Sequence, residues 1–430
     1  MNTVHPRSLL VLGTLLLSLS FGAAEAKIPQ DFLSTIKDPE FLKEGTVIID
    51  TRFRYEHADQ DGLDAANAFT ARVRLGYETA ALHGFNGLIE MQHTAGLNQK
   101  NNYGLPWDPN GKTVVLDANN TNLNRLQVSY RNDEWKSGGT GGRQRILLDN
   151  QRFIGNVGWR QNEQTYDAVR LYTEALEDLR FEYIHLWQVN RFAGLKSSAP
   201  LGVRRWQSTS HAIQAKYTRL PAAKLTLYSY LFDFGGADGG TNNSDTFGGF
   251  LTGDLAVNEF WTLAYRAEIA HQQDAHDNPR DYKAWYYHVN VGAKYDRYNA
   301  GIGYEVLGAD NDFGFRFPLG TNHAFNGWAD KFAVTPSSPP GSGGPAGLRD
   351  FYIWAGANLP NDISLRVAYH TFRADSGTPG DLGRELNLSI ARKFGDHWTL
   401  LAKAARYWQG ADLPAFADTD KFWLQLEFAL

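Results

Sequence analysis

The stretch Val47-Ile48-Ile49-Asp50-Thr51-Arg52-Phe53-Arg54-Tyr55-Glu56 sets apolar or aromatic side chains at 47, 49, 53 and 55 against charged ones at 50, 52, 54 and 56. Successive side chains on a strand point to opposite faces, whereas helical faces recur every 3.6 residues, so this decamer is a strand with one apolar side and one charged side. The next segment repeats it, with Phe69, Ala71, Val73, Leu75 and Tyr77 against Thr70, Arg72, Arg74 and Glu78. So do Trp261, Leu263, Tyr265, Ala267 and Ile269 against Arg266 and Glu268, and Phe422, Leu424, Leu426, Phe428 and Leu430 at the end of the chain.

Half-buried strands of a soluble sandwich also alternate, but they average about five or six residues and need no aromatic ends. Here the alternation persists for roughly ten residues with Trp or Tyr near the ends, the pattern of an apolar band between aromatic girdles around a polar lumen. The expected fold is all-β, a transmembrane antiparallel up-and-down β-barrel. Strand candidates fall near 46–56, 67–79, 86–93, 122–130, 142–150, 165–174, 180–190, 208–219, 224–233, 246–256, 260–271, 284–295, 298–307, 349–359, 363–372, 383–394, 398–407 and 421–430, which makes 18. The segments 86–93 and 246–256 alternate least, and without them the count is 16. Connections after even-numbered strands are mostly tight, as at Asp296-Arg297 and Pro360-Asn361-Asp362, while those after odd-numbered strands are longer, notably 94–121 and 308–348. Short periplasmic turns and long extracellular loops are the asymmetry of an outer-membrane barrel. The loop 308–348 holds Pro336-Ser337-Ser338-Pro339-Pro340-Gly341-Ser342-Gly343-Gly344-Pro345, a composition expected to be mobile.

The first 26 residues have the build of a signal peptide: Arg7, an apolar run from Leu9 to Leu19, and Ala24-Glu25-Ala26 before the expected mature start at Lys27. Residues 27–430 form the barrel, and the location implied is the outer membrane of a Gram-negative type of cell. With 42 Lys+Arg against 47 Asp+Glu the formal charge is −5, which argues against a nucleic-acid partner, and zero Cys excludes disulfides, thiolate metal sites and Cys nucleophiles. No phosphate loop, paired-His helix or serine elbow is present, and Ser210 beside His211 would face opposite sides of a strand. No enzymatic activity, cofactor or metal is expected. His57, His271, His276 and His323 lie near loops and are read as solvated.

Alternation assigns the inward face. Its basic residues are Arg52, Arg54, Arg72, Arg74, Arg125, Arg143, Arg145, Arg170, Lys216, Arg266, Lys294, Arg366, Lys393 and Lys403. Its acids are Asp50, Glu56, Glu78, Glu90, Asp149, Glu174, Glu182, Glu268, Glu305, Glu385 and Glu427, so the lumen carries 14 − 11 = +3 while the chain as a whole is acidic. Basic side chains around a pore favour anions, and Arg can hold a carboxylate bidentately. The alternative is cross-strand pairing along a wet wall, as in a general porin.

One region adds a resemblance. Gly142-Arg143-Gln144, Arg152-Phe153-Ile154-Gly155, Trp159-Arg160-Gln161-Asn162 and Thr165-Tyr166-Asp167-Ala168 resemble the central signature of the alginate-export outer-membrane porins. That family implies an 18-stranded barrel passing a polyuronate through an electropositive constriction. It singles out Arg143, Arg145, Asp149, Arg152, Arg160 and Asp167, with Arg143 and Arg145 pointing inward and Arg152, Arg160 and Asp167 at the extracellular rim, folding the loop 151–164 inward. One departure is the late turn Gly395-Asp396-His397, too short for the family's periplasmic lid, which leaves gating to 94–121 or 308–348. The expected function is a passive outer-membrane channel for an anionic oligo- or polysaccharide, of which alginate-type polyuronate exported from the cell is the leading case. The alternative is a general or substrate-specific porin for other small solutes. Expected partners are outer-membrane lipid, the anionic saccharide and periplasmic polysaccharide-handling proteins.

Overall fold

The computed structural model describes residues 40–98, 102–199, 201–235, 237–410, 413 and 416–430. The signal peptide expected over 1–26 lies outside them. The chain divides into a first unit ending at Glu44, whose described part includes a one-turn helix, Glu40–Lys43, and a second, Gly45–Leu430, which is a barrel.

Eighteen antiparallel strands make one sheet. They are β1 (Thr46–Gln60), β2 (Ala66–Glu78), β3 (Phe85–Gly96), β4 (Asn120–Asn132), β5 (Ser137–Gln144), β6 (Thr165–Leu176), β7 (Leu179–Asn190), β8 (Arg205–Tyr217) and β9 (Lys224–Phe232), then β10 (Ser244–Ala256), β11 (Trp261–Asp274), β12 (Lys283–Tyr295), β13 (Tyr298–Leu307), β14 (Leu348–Leu359), β15 (Ile363–Arg373), β16 (Asp381–Phe394), β17 (Trp398–Trp408) and β18 (Thr419–Ala429). Each pairs with the next, and β18 returns to β1 from Gln60↔Thr419 to Asp50↔Ala429, so no edge is left open. Both weakly alternating segments are strands, β3 and β10, which removes the count of 16.

The faces follow the alternation. Val47, Phe53, Leu75, Val289, Ile302 and Leu424 are exposed on the outside, whereas Arg54, Glu56, Arg72 and Arg74 are buried inside. Outward aromatics gather near the short turns, where Trp261 packs on Tyr295 and Trp398 on Phe428.

One strand differs from expectation. β5 is Ser137-Gly138-Gly139-Thr140-Gly141-Gly142-Arg143-Gln144, not 142–150. Four of its eight residues have no side chain, so no periodicity marks it, while the apolar Ile146-Leu147-Leu148 beyond it imitates a strand. Arg145 and Asp149 therefore belong to the following loop.

The core lies inside the barrel. Inward Tyr228, Tyr230 and Phe232 of β9 stack along the wall, and Phe153 from the loop 145–164 packs on Tyr228 and Tyr230 with centroids 5.0 and 5.2 Å away. Phe313, Phe315, Phe317 and Leu319 of the long loop are buried in the same cluster. The loop 308–347 is thus packed into the lumen, contrary to the expected mobility. Its apolar alternation is buried against aromatic partners, and even its Pro/Gly stretch is tied, with Ser338 N donating to Asp312 O and Gly347 N to Pro336 O. In the first long loop, residues 102–119 also turn inward, with Tyr103, Leu105, Val115 and Ala118 packed on Ala58, Ala66 and Ala68.

Candidate functional site

Two loops cross the lumen and hold each other. Ile154 and Leu319 form a parallel bridge, with Gly155 N donating to Leu319 O at 2.9 Å. Arg152 is 1% exposed; its Nε lies 2.9 Å from Glu305 Oε1 on β13, one Nη donates to Asn326 Oδ1 at 2.8 Å, and its guanidinium sits 4.0 Å over Phe317. Arg160 reaches Glu56 of β1 at 3.3 Å and Asp330 of the long loop at 2.8 Å. Arg152 and Arg160 are buried ties that hold the loop 145–164 to the wall and to the long loop, because a guanidinium taken out of water keeps its charge only where carboxylates meet it.

The wall arginines serve the same loop. Arg52 donates to the carbonyls of Gly158 and Trp159 at 3.0 and 3.1 Å and pairs with Glu427. Arg54 donates to Trp159 O at 2.6 Å and lies 3.6 Å from Asp117, which in turn accepts from Gln161 N. Arg72 pairs with Asp50; Arg74 lies 3.4 Å from Asp50 and 3.5 Å from Glu163. Arg145 forks onto Glu163 with both contacts under 2.8 Å. Burial pushes the Glu163 carboxyl up, but Arg74 and Arg145 outweigh it and hold it well below the usual carboxylate range.

The remaining expected residues are placed as follows. Arg125 pairs with Glu90 at 2.5 Å and Arg170 with Glu182 at 2.6 Å. Arg143 and Asp167 form a bidentate wall pair at 2.7 and 2.9 Å, with Asp167 two residues into β6 from the end that follows the loop 145–164. Asp149 reaches Arg266, which also meets Glu268. Among the described residues Lys216, Lys294, Arg366, Lys393 and Lys403 of the expected inward cations have no carboxylate within ion-pair distance; Lys403 is buried and the other four are exposed. Apart from Arg366, the inward arginines that alternation counted as a positive surplus each meet a carboxylate. The surplus sits nearer the short turns.

A second joint was invisible in the sequence. His323 is buried, contrary to the solvated reading, with Nδ1 2.6 Å from Asp330 Oδ1 and Nε2 2.8 Å from Lys403 Nζ of β17. A neutral ring donating to the carboxylate and accepting from the ammonium satisfies both contacts. Trp159 stacks on that ring at 4.7 Å, and Lys403 lies 4.1 and 3.8 Å from the Trp159 and Trp328 ring centres, so both loops meet here. Burial lowers the His323 pKa from 6.5 to about 3, Lys403 adding to the effect against Asp330. The docked ring thus refuses a proton that the undocked ring binds near pH 6.5. Docking is complete above that pH and is expected to weaken as pH falls from 6.5 towards 3, by up to about tenfold per unit. Limited proteolysis of the long loop across this range measures it; His323→Gln should flatten the dependence, and an unchanged profile in that variant would refute the assignment.

Glu163, Asp117, His323, Asp330 and Trp159 were missed because loop residues follow no period. No family model matches the sequence, and no curated protein is similar to it. Solved structures are. OccAB4 of Acinetobacter baumannii superposes with a TM-score of 0.68 at 13% identity, covering 91% of this chain and 100% of that one. OccAB2 of the same organism gives 0.69 at 13%, covering 91% and 98%. OpdK of Pseudomonas aeruginosa, crystallised with vanillate, gives 0.68 at 14%, covering 91% and 99%. At such identities the likeness is one of fold: this chain is a closed 18-stranded antiparallel barrel built like those of the Occ and Opd porins.

Proposed function

We propose that the chain is a passive outer-membrane channel for small solutes, its apolar outer band in lipid, its short turns in the periplasm and its long loops outside. The observation that carries this is inward charge left partly exposed: the side chains of Asp149 and Arg145 are 30% and 25% exposed although Ile146 and Leu148 between them are buried. A barrel filled solid would have left neither wet. The polyuronate-export reading rests on the stretch 142–168. There Arg143, Arg145, Arg152 and Arg160 are bound to Asp167, Glu163, Glu305 and Asp330, which supports a narrowed path for small solutes over one for a polymer. Export, uptake by gradient and any periplasmic saccharide-handling partner belong with that second reading.

Insertion into planar bilayers tests both. The expected result is stepwise ion conductance, interrupted by small carboxylates and indifferent to long oligomannuronate on either side. A folded barrel that never conducts would overturn the channel, and translocation of oligomannuronate would restore the polymer reading.

A further inference from the structure

Parity puts a pair of histidines on the outer side of the wall. In β7 the inward Glu182, Ile184 and Leu186 are buried while Phe181 and Trp187 are exposed outward, so His185 between them faces out. In β8 the inward Ser208, Ser210 and Ala212 are buried, which turns His211 outward as well. The two stand directly opposite each other in the antiparallel register, where Cβ atoms are about 4.5–5.5 Å apart. Their rings stack, with centres 4.9 Å apart and planes 27° from parallel. Val169, Ile213 and Leu231 share their face, and Trp187 lies beside His185.

An ionisable side chain turned towards lipid gives up water and marks a function. The other outward histidines on the strands stand singly and meet local partners: His57 on Asn67, His93 on Thr121 and His271 against Trp285. Among the described residues no carboxylate lies within ion-pair distance of His185 or His211; the histidines that have one are His276, His323 and His370. Each ring of the pair leaves its far nitrogen free. Nδ1 of His211 lies 2.8 Å from the Tyr183 hydroxyl and Nδ1 of His185 is buried without a partner, while neither Nε2 has a partner among the described residues. Two imidazoles on one tetrahedral cation hold their ring centres about 5 Å apart, given metal–nitrogen bonds of about 2.0–2.1 Å. The pair already stands at that spacing.

We propose that His185 and His211 form a two-histidine site for a first-row divalent cation of the zinc and copper type, bound through both Nε2 atoms with its other positions open outward to water. When Nε2 of His211 takes the metal, Nδ1 carries the proton and donates it to the Tyr183 oxygen, which fixes the ring. Imidazole suits zinc, copper and nickel, whereas calcium and magnesium want carboxylates, which this patch lacks. The site lies outside the lumen and does not depend on the channel reading.

The test uses the folded, untagged barrel in detergent and the copper(II) complex of nitrilotriacetate. That chelate leaves two neighbouring positions on the metal, so a pair of histidines fills both and a single one does not. The expected result is one equivalent bound, with an electron paramagnetic resonance spectrum split by two imidazole nitrogens, and calorimetric binding of zinc that calcium and magnesium do not imitate. His185→Ala and His211→Ala should each weaken binding more than about 100-fold and Tyr183→Phe up to about tenfold. The strand ladders do not use these side chains, and heat-modifiability shows that each variant is folded. Replacing His93 and His271 by Ala together should change nothing. No two-nitrogen spectrum in the wild type, or an unchanged one in either folded variant, His185→Ala or His211→Ala, overturns the site.

Discussion

Glu163→Ala is expected to release the loop 145–164 from the wall and give a channel of higher, noisier conductance. Glu163 is buried, and it receives Arg145 through two hydrogen bonds, lies 3.5 Å from Arg74 and accepts from Asn124 and Asn156. Removing it leaves two guanidinium groups around a hole with no matching charge. Breaking one partner of a buried pair costs about 3–5 kcal/mol, because the surviving ion keeps its desolvation penalty. The barrel itself has no reason to open, since its strands are registered by their own ladders. The expected readout is therefore normal heat-modifiability, faster proteolysis within 145–164 and larger current fluctuation. Glu163→Gln, which keeps shape and hydrogen-bonding oxygen, should fall between the two. A quiet wild-type trace in Glu163→Ala would show that the loop is held elsewhere. For the same reason a double reversal, Arg74→Glu with Arg145→Glu, would set two new carboxylates beside Glu163 and Asp50 and undo the loop before it altered ion selectivity.

Excising residues 312–345 is expected to raise conductance several-fold. The segment carries Phe313, Phe315, Phe317 and Leu319 into the lumen, and it supplies Asp330 to Arg160 and Lys421 and the Trp328 and Ala329 amides to Glu385. Each large apolar side chain lost from the core forfeits about 1.5–3 kcal/mol, so the variant should also melt earlier. Leu307 and Leu348 are already paired at the adjoining strand ends, so a short turn can close the gap without shifting β13 against β14. Conductance equal to wild type would mean that the long loop does not narrow the path.

Much of the barrel was legible beforehand. A strand buried on neither side must show its faces to two different solvents, and residues 47–56, 69–78 and 285–295 carry that contrast at most positions. Strand number and the alternation of short and long connections follow from counting such segments. β5 escaped because glycine has no side chain with which to alternate, and Arg145 and Asp149 were misplaced with it. The inward direction of Arg52, Arg72, Arg74 and Arg266 was readable from parity alone; their carboxylate partners were not, since Arg52 meets Glu427 across 375 positions of chain.

The sequence by itself determined the cylinder: period two, its length per segment, and which residues turn away from lipid. Only the tertiary structure decided what fills it. Whether the lumen is positive or neutral, where 308–347 lies, and which cations remain unpaired depend on contacts between segments far apart in the chain. Periodicity is a property of neighbours along a strand, while Coulomb pairing and aromatic packing are properties of neighbours in space.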